Sequence, residues 1–442
     1  MSTIAVESAV AERERVLTHF LDTESERLAR ACHAMARHFS RGGTLVAFGT
    51  GAAATDAAHA AVEFMHPVIV GKRALPALAP SNDPTGRSVP ALMLGPDDIA
   101  LAISHGGDDA AVGEFVDVAS RRGALTIALS GRDAAAGADF AFSVASDDPH
   151  IVQEVHETAY HVLWELVHVF FEHPGLLEER CITCGDVAVP ATVVEVHGAT
   201  AVVERGGARE EVAAELVAGV TTGDVLLCHA GIALERLDRS PDDPSGFLYP
   251  FLNAEEQDLD TVLADVRGST VQKGRDVIAL RAAIDSTAVE RCAGALRERL
   301  TRGGRILTFG NGGSSTDAQD LAADALGRGI PAIALDNDVA TITAVANDVG
   351  FENVFARQVI PLARADDVAV AISTSGASPS VLAGLAEANR RGMLTVAVTG
   401  YDGGRLADAD WLDHLLIVRA DYVPRIQEAQ ATIYHLLLAQ LP

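Results

Sequence analysis

Apolar positions along this chain follow two periods, and the order of those periods occurs twice. Residues 7–39 and 273–301 are rich in Ala, Arg and Glu, with apolar positions at amphipathic helical spacing. Residues 42–67 (GGTLVAFGTGAAATDAAHAAVEFMHP) and 303–328 (GGRILTFGNGGSSTDAQDLAADALGR) then each read as a buried strand, a Gly-rich turn and a helix. Further on, DDIALAISHGGDDAAVGEFVDVASRRGALTIALSGRD (97–133) parallels DDVAVAISTSGASPSVLAGLAEANRRGMLTVAVTGYD (366–402). Each is a strand, a polar turn, a helix ending at Arg-Arg-Gly, and a second strand. Continuous apolar strands between helices imply a parallel sheet covered on both faces. A last helix is expected in each copy, from about Ile151 and from about Arg425. The pattern predicts an α/β protein with two three-layer α/β/α domains.

A different pattern separates the copies. Residues 181–237 hold short alternating runs (ATVVEV, ATAVVERG, EEVAAELV, DVLLCHAG) parted by Gly-containing turns, which predict a small OB-like β-barrel. RSPDDPSGFLYP (239–250) reads as a linker. The expected domains are 1–174, 175–250 and 251–442.

Composition narrows the partners. The chain of 442 residues is 48% hydrophobic and 21% charged, so it has the apolar content for a core. Its net charge is −27, and Lys occurs only at positions 72 and 273. Such a surface repels nucleic acid and anionic membranes, so neither is an expected partner. An anionic ligand would need local help from backbone N–H groups and Arg. No run approaches the ~20 apolar residues that span a bilayer. The start, MSTIAVESAVAERERV, lacks the basic-then-apolar order of a signal peptide. Five cysteines without a secretory pattern indicate a reducing cytoplasm. Cys32 and Cys292 in helical patterns, and Cys228 in a strand pattern, read as inert core thiols.

In the second copy, strand–GNGGSS–helix is a phosphate-binding arrangement. Its glycines admit close approach by an anion, and the helix N-terminus offers unpaired N–H groups. Ser373-Thr374-Ser375-Gly376-Ala377-Ser378 follows the next strand and opens another helix. In an α/β sheet such turns gather at the carboxyl ends of the strands, where ligands bind. The same hydroxyls also suit plain helix capping.

GNGGSSTDAQDLAADAL, AISTSGAS and RIQEAQATIYHLL closely resemble the phosphoheptose isomerase group of the SIS (sugar isomerase) domain superfamily. The resemblance covers nearly all of 273–442 and, more weakly, 7–171. It implies a phosphosugar held by Asn311, Ser314, Ser373, Ser375 and Ser378, with Gln427 in the same site. It implies a Glu base and a His acid that move a proton between adjacent carbons. It also implies a zinc-type metal among a His and a Glu of the first helix and a Gln and a His of the last, and a homo-oligomer with sites at subunit interfaces.

The copies hold that equipment unequally. In the first, His59 and Glu63 are spaced i,i+4 on one helix face, and Gln153 and His161 are spaced i,i+8. The four form a candidate zinc-type site, with Glu63 and His161 as acid–base candidates. The turns of that copy are damaged. GTGAAA puts Ala53 at the serine position, and SHGGDD keeps Ser104 but brings Asp108 and Asp109 to where a phosphate would sit. In the second copy the turns are intact and Gln427 and His435 are present. There, Asp320 and Asp324 replace His and Glu, leaving Asp324 and His435 as its acid–base candidates, and Pro424 stands at the family's Asp. An Asp is one methylene shorter than a Glu, and misplacement by ~1 Å costs on the order of a hundredfold in rate. Two readings follow: both copies are degenerate and serve as an oligomerisation scaffold, or the second copy's turns join the first copy's acid–base and metal residues in one site.

The middle segment, CITCGDVAVPATVVEV followed by ATAVVERGGAREEVAAELVAGVTTGDVLLCHAGIALERLD, resembles the HypC/HupF family of nickel–iron hydrogenase maturation chaperones. In that family a near-N-terminal Cys holds the iron fragment, and the barrel docks onto a HypD-type maturation protein and the hydrogenase large subunit. Here the start is internal, as Cys181-Ile182-Thr183-Cys184, a pair of soft thiolates suited to iron or zinc. His229 matches the family His, and equally reads as a satisfied barrel histidine. The resemblances together imply a hydrogenase maturation factor that carries an iron fragment at Cys181 and Cys184, with tandem domains that bind a phosphorylated metabolite. The alternative is a sedoheptulose 7-phosphate-type isomerase with an appended binding module.

Overall fold

The structure, a computed structural model, describes residues 3–67, 72–80, 89–106, 109–132, 137–177, 189–205, 208–229, 231–237 and 259–442. Two compact units divide the chain: residues 1–167 with 264–442, and residues 168–263.

The first unit holds both copies of the repeat. In the first copy, β1 (Leu45–Gly49), β2 (Ala77–Leu78), β3 (Ile99–Ile103), β4 (Leu125–Ser130) and β5 (Phe140–Ser143) form one sheet in the order β2-β1-β3-β4-β5. Every pairing is parallel. The helices are α1 (Thr3–Ser40), α2 (Ala53–Met65), α3 (Ala110–Arg121) and α4 (Pro149–Phe171). In the second copy, β11 (Ile306–Phe309), β12 (Ala332–Ala334), β13 (Val368–Ser373), β14 (Leu394–Thr399) and β15 (His414–Ile417) repeat that order as β12-β11-β13-β14-β15, again all parallel. Its helices are α5 (Leu259–Ala282), α6 (Ser286–Thr301), α7 (Gly313–Gly327), α8 (Val339–Val349), α9 (Val354–Leu362), α10 (Pro379–Arg390) and α11 (Val423–Leu438). The central strands β3, β4, β13 and β14 are buried at every position, as their unbroken apolar runs require.

The two copies meet through helices. The α2 helix packs on α7, and α1 contacts α6 and α11. All of α11 from Pro424 to Leu438 is buried, and so is α4 from Ile151 to Val167. A helix buried all round is normally apolar. These two carry Gln153, Glu154, His161 and Glu165, and Arg425, Gln427, Glu428 and His435, whose burial costs several kcal/mol each unless paired. They find many of their partners in each other. Glu154 of α4 accepts from His435 Nδ1 at 2.9 Å, from Thr432 Oγ1 at 2.6 Å and from Arg13 Nε at 2.8 Å. The equivalent Glu428 of α11 accepts from His161 Nδ1 at 2.9 Å and from Thr158 Oγ1 at 3.2 Å. Arg281, fully buried, reaches the carbonyls of both equivalent residues, Glu154 at 3.5 Å and Glu428 at 3.4 Å. Arg425 pairs with Glu165 at 2.8 Å.

The second unit is a closed five-stranded barrel. Strands β6 (Val189–His197), β7 (Thr200–Arg205), β8 (Ala208–Ala213), β9 (Val225–His229) and β10 (Ile232–Leu237) run in the order β10-β8-β7-β6-β9. Alternate residues Ala191 and Val193, Ala201 and Val203, and Leu226 and Cys228 fill it, which is the period-2 pattern of the sequence. Cys32, Cys228 and Cys292 are all buried, and burial pushes the Cys228 thiol up to about 11 and Cys292 up to about 12, as inert core thiols require. Cys181, Cys184 and the 239–250 linker lie outside the described residues. Among the described residues, no helix is long and apolar enough to cross a membrane.

Candidate functional site

Two clusters form where the copies meet, each joining a turn of one copy to a helix of the other. The first is built on the second copy's turns. Gly312, at φ +59°, carries the chain from β11 into α7. Gly313 has no room for a side chain: a Cβ there would lie 2.1 Å from Gln427 Nε2, 2.7 Å from His59 Nε2 and 3.2 Å from Glu63 Oε1. The turn therefore sits directly against residues of the first copy. Asn311 Nδ2 donates to Ser380 Oγ at 3.0 Å, which ties this turn to the next. Ser314 and Ser373 are buried, and Ser373 Oγ accepts from Gly376 N at 3.2 Å. Ser375 Oγ accepts from Ala377 N at 3.3 Å. Among the described residues, no side chain caps the N-terminus of α7, and Ser378 at the N-cap of α10 makes no capping bond. Two helix N-termini thus present unspent N–H groups at adjacent turns, which is the physical basis of an anion site.

Against these turns stand His59 and Glu63, both buried on α2, with His59 Nε2 3.6 Å from Glu63 Oε1. His59 Nδ1 faces Asp317 Oδ1 at 3.4 Å, and Gln427 Nε2 donates to His59 Nε2 at 2.9 Å. Burial works against charge on His59, but the Asp317 and Glu63 carboxylates outweigh it and raise its pKa. Burial works against ionised Glu63 too, yet His59 and His161 hold it below the ordinary range, so it is a carboxylate near neutrality. His161 completes the group. Burial, aided by His59, pushes it down to about 3, and its Nδ1–H is spent on Glu428. A neutral imidazole with its other lone pair free remains.

His59, Glu63 and His161 bring donor atoms within 4.8 Å of one another. Among the described residues, Glu63 Oε2, His161 Nε2 and Gln427 Oε1 are buried with no hydrogen-bond partner. Unpaired acceptors converging in this way, with a carboxylate behind one imidazole, match the donor chemistry of a zinc-type ion. The expected set drew its glutamine from the same copy as His59, as Gln153. The structure puts Gln427 there instead, because α2 packs on the second copy. Gln153 donates to Asp56 Oδ1 at 3.3 Å in the other cluster. The signal that could have shown the exchange is the Gln-Glu pair repeated at 153–154 and 427–428.

The second cluster has the first copy's turns. Ala53 stands buried where the other copy has Ser314, and Ser104 is buried. Asp109 caps α3, accepting from Ala111 N at 3.1 Å and Val112 N at 3.2 Å, and takes the Thr50 hydroxyl as well. A fixed carboxylate thus stands at the position that Ser378 holds in the other copy. Asp108 lies outside the described residues. The facing helix supplies Asp320, which accepts from Thr55 Oγ1 at 3.3 Å and Tyr434 Oη at 2.9 Å, and Asp324. His435 Nε2 lies 3.6 Å from each of these two carboxylates. His150, which nothing in its local sequence singles out, lies beside Asp324. His229 ends β9 in the barrel; its side chain, like Cys181 and Cys184, lies outside the described residues.

Comparison with known proteins agrees with the fold. The sequence model of the SIS domain matches residues 10–131 and 273–400, more than half of the chain. That of the HupF/HypC family matches residues 187–241, beginning after both cysteines. The phosphoheptose isomerase of Geotalea daltonii is 45% identical over 148 residues, 32% of this chain and 76% of that protein. The phosphoheptose isomerase of Geobacter metallireducens is 47% identical over 151 residues, 33% of this chain and 79% of that one. The solved C-terminal domain of glucosamine-fructose-6-phosphate aminotransferase from Francisella tularensis is 10% identical, covers 98% of this chain and 93% of its own, and superposes with a TM-score of 0.51, a likeness of fold.

Proposed function

We propose, from the premise that this chain belongs to the SIS domain family, that it binds a phosphorylated sugar at the first cluster alone and isomerises it between aldose and ketose. The observation that carries this reading is Gly313, where the second copy's turn lies against His59, Glu63 and Gln427 of the facing helices. Asn311, Ser314, Ser373, Ser375 and Ser378, with the free N–H groups of α7 and α10, hold the phosphate. His59, Glu63, Gln427 and His161 hold a zinc-type ion, which when bound polarises the sugar carbonyl. Glu63, through the oxygen that does not hold the ion, takes a proton from the carbon beside the carbonyl and returns it to the former carbonyl carbon, while the proton of the adjacent hydroxyl passes to the former carbonyl oxygen. Glu428 fixes the tautomer of His161 and Asp317 orients His59. Burial of the whole group keeps water from the exposed carbanion-like intermediate.

The test is turnover of sedoheptulose 7-phosphate by the purified full chain, followed by NMR. Ser375→Ala is expected to weaken phosphate binding, and His59→Ala to remove the metal equivalent of this cluster while leaving phosphate bound. Ligand binding that survives the first change, or a second change that removes no metal equivalent, sinks the proposal.

The HupF/HypC match favours a second reading, in which the chain serves nickel–iron hydrogenase assembly. The barrel then carries the iron fragment as cargo on Cys181 and Cys184, assisted by His229, and docks onto a HypD-type protein and the hydrogenase large subunit. Iron retained anaerobically by the wild type but lost in Cys184→Ser, with no sugar turnover, favours this reading over the first.

A further inference from the structure

The second cluster has no open phosphate place, yet it keeps an ordered set of unspent donors. His150 Nδ1 lies 2.9 Å from Asp324 Oδ2, and His435 Nε2 lies 3.6 Å from the same oxygen. Among the described residues, buried His435 Nε2 has no hydrogen-bond partner, and buried Asp324 Oδ2 has only the His150 ring beside it. His435 is fully buried, and its other nitrogen donates to Glu154 at 2.9 Å. That bond leaves Nε2 facing the Asp320 and Asp324 carboxylates, a place for either a proton or a metal ion. A carboxylate behind an imidazole whose far nitrogen is unpaired is the usual support of a metal-bound histidine. A buried imidazole lone pair facing a carboxylate oxygen is unfavourable without a cation or proton between them.

We propose that His150, Asp324 and His435 bind a divalent transition-metal ion, independently of any phosphosugar. Two nitrogens and a carboxylate oxygen suit zinc, cobalt(II) or nickel(II), and Asp320 adds negative charge at 3.6 Å from His435 Nε2. The side chains of His150 and Asp324 are 23% and 13% exposed, so an ion has a path in and a water can complete its shell. Asp109 occupies the anion place of this cluster, so its ligand is the metal without a sugar phosphate. The ligand set is new to this cluster. Asp324 and His435 stand at the positions of Glu63 and His161, but His150 corresponds to Pro424 in the other copy. His150 belongs to the first copy and the other two ligands to the second, so the ion ties the copies together.

The inference does not rest on the isomerase reading, because it concerns the other cluster. Its test uses the full chain carrying Cys181→Ser and Cys184→Ser, which removes the soft thiolates. After chelation this protein is titrated with cobalt(II), followed by visible absorption and metal analysis. It should take two equivalents. His150→Ala and Asp324→Asn should each take one, His59→Ala should take one, and His59→Ala with His150→Ala none. Inorganic phosphate should perturb the spectrum of the His150→Ala protein and leave that of the His59→Ala protein unchanged. Metal should also raise the melting temperature of His59→Ala. A cobalt equivalent in His59→Ala that persists on adding both His150→Ala and Asp324→Asn overturns the proposal, as does a background protein that binds only the equivalent lost with His59→Ala.

Discussion

The two clusters at the seam of the repeat are made from equivalent positions and have opposite equipment. One has glycines, serines and uncapped helix N-termini facing a His, a Glu and a Gln. The other has alanines and a helix already capped by Asp109, facing two aspartates. Counted by copy, each half of the chain has lost something. Counted by site, the losses fall on the second cluster with one exception, Pro424, which stands at the family's Asp three residues before Gln427. A duplicated domain whose sites each draw on both copies can concentrate damage in one site, so a copy that looks degenerate alone contributes to a complete site elsewhere.

The largest test of this comparison is Arg281→Met. Removing a fully buried cation leaves Glu154 and Glu428 undercompensated, at a cost of about 3–5 kcal/mol. Chemical denaturation should show the loss, and metal binding should weaken at both clusters together, because Glu154 supports His435 and Glu428 supports His161. Next is Gly313→Ala. Its Cβ would displace Gln427 and His59, so turnover at the first cluster should fall by about a hundredfold or more while the second cluster is untouched. Steady-state kinetics measures this, and retained turnover would break the assignment of the turn to that site.

Asp109→Ser probes the other side. Serine keeps the cap of α3, so stability should change by less than about 1 kcal/mol, and removing the carboxylate should create weak phosphate binding, seen by phosphorus NMR, where the wild type shows only the first cluster's. The smallest effect concerns Asp336, whose carboxylate accepts from Gly310 N at 2.9 Å beneath the intact turn. Burial pushes its pKa up to about 7, against that hydrogen bond. A raised carboxyl favours the folded state while protonated, so its contribution is full below the ordinary carboxylate range and is lost as pH rises through about 7. The melting temperature of wild type should fall by a few degrees between pH 5 and 8 relative to Asp336→Asn, which lacks the titration.

Much of this was legible in the order of residues. Unbroken apolar strands identified both parallel sheets, and period-2 alternation identified the barrel. The i,i+4 spacing of His59 and Glu63 placed them on one face. Which glutamine joins them was not legible. Spacing along one helix puts Gln153 with His161, whereas packing of α2 on α7 decides in favour of Gln427. Nothing in the sequence singles out Glu154 and Glu428, because nothing local marks a helix that will be buried on every side. His150 was invisible for the same reason: its partners, Asp324 and His435, lie far away in sequence.

Arg281 has a consequence for how such a protein can change over time. One guanidinium touches the same carbonyl in both halves, a place that a two-fold pair of separate subunits could fill only by bringing two arginines to one point. In a homodimer, every mutation is inherited by both sites at once, and a change that spoils one spoils the other. Joined in one chain, the halves mutate separately, and a single off-symmetry arginine can hold them in register while one site keeps its chemistry and its twin drifts to another task.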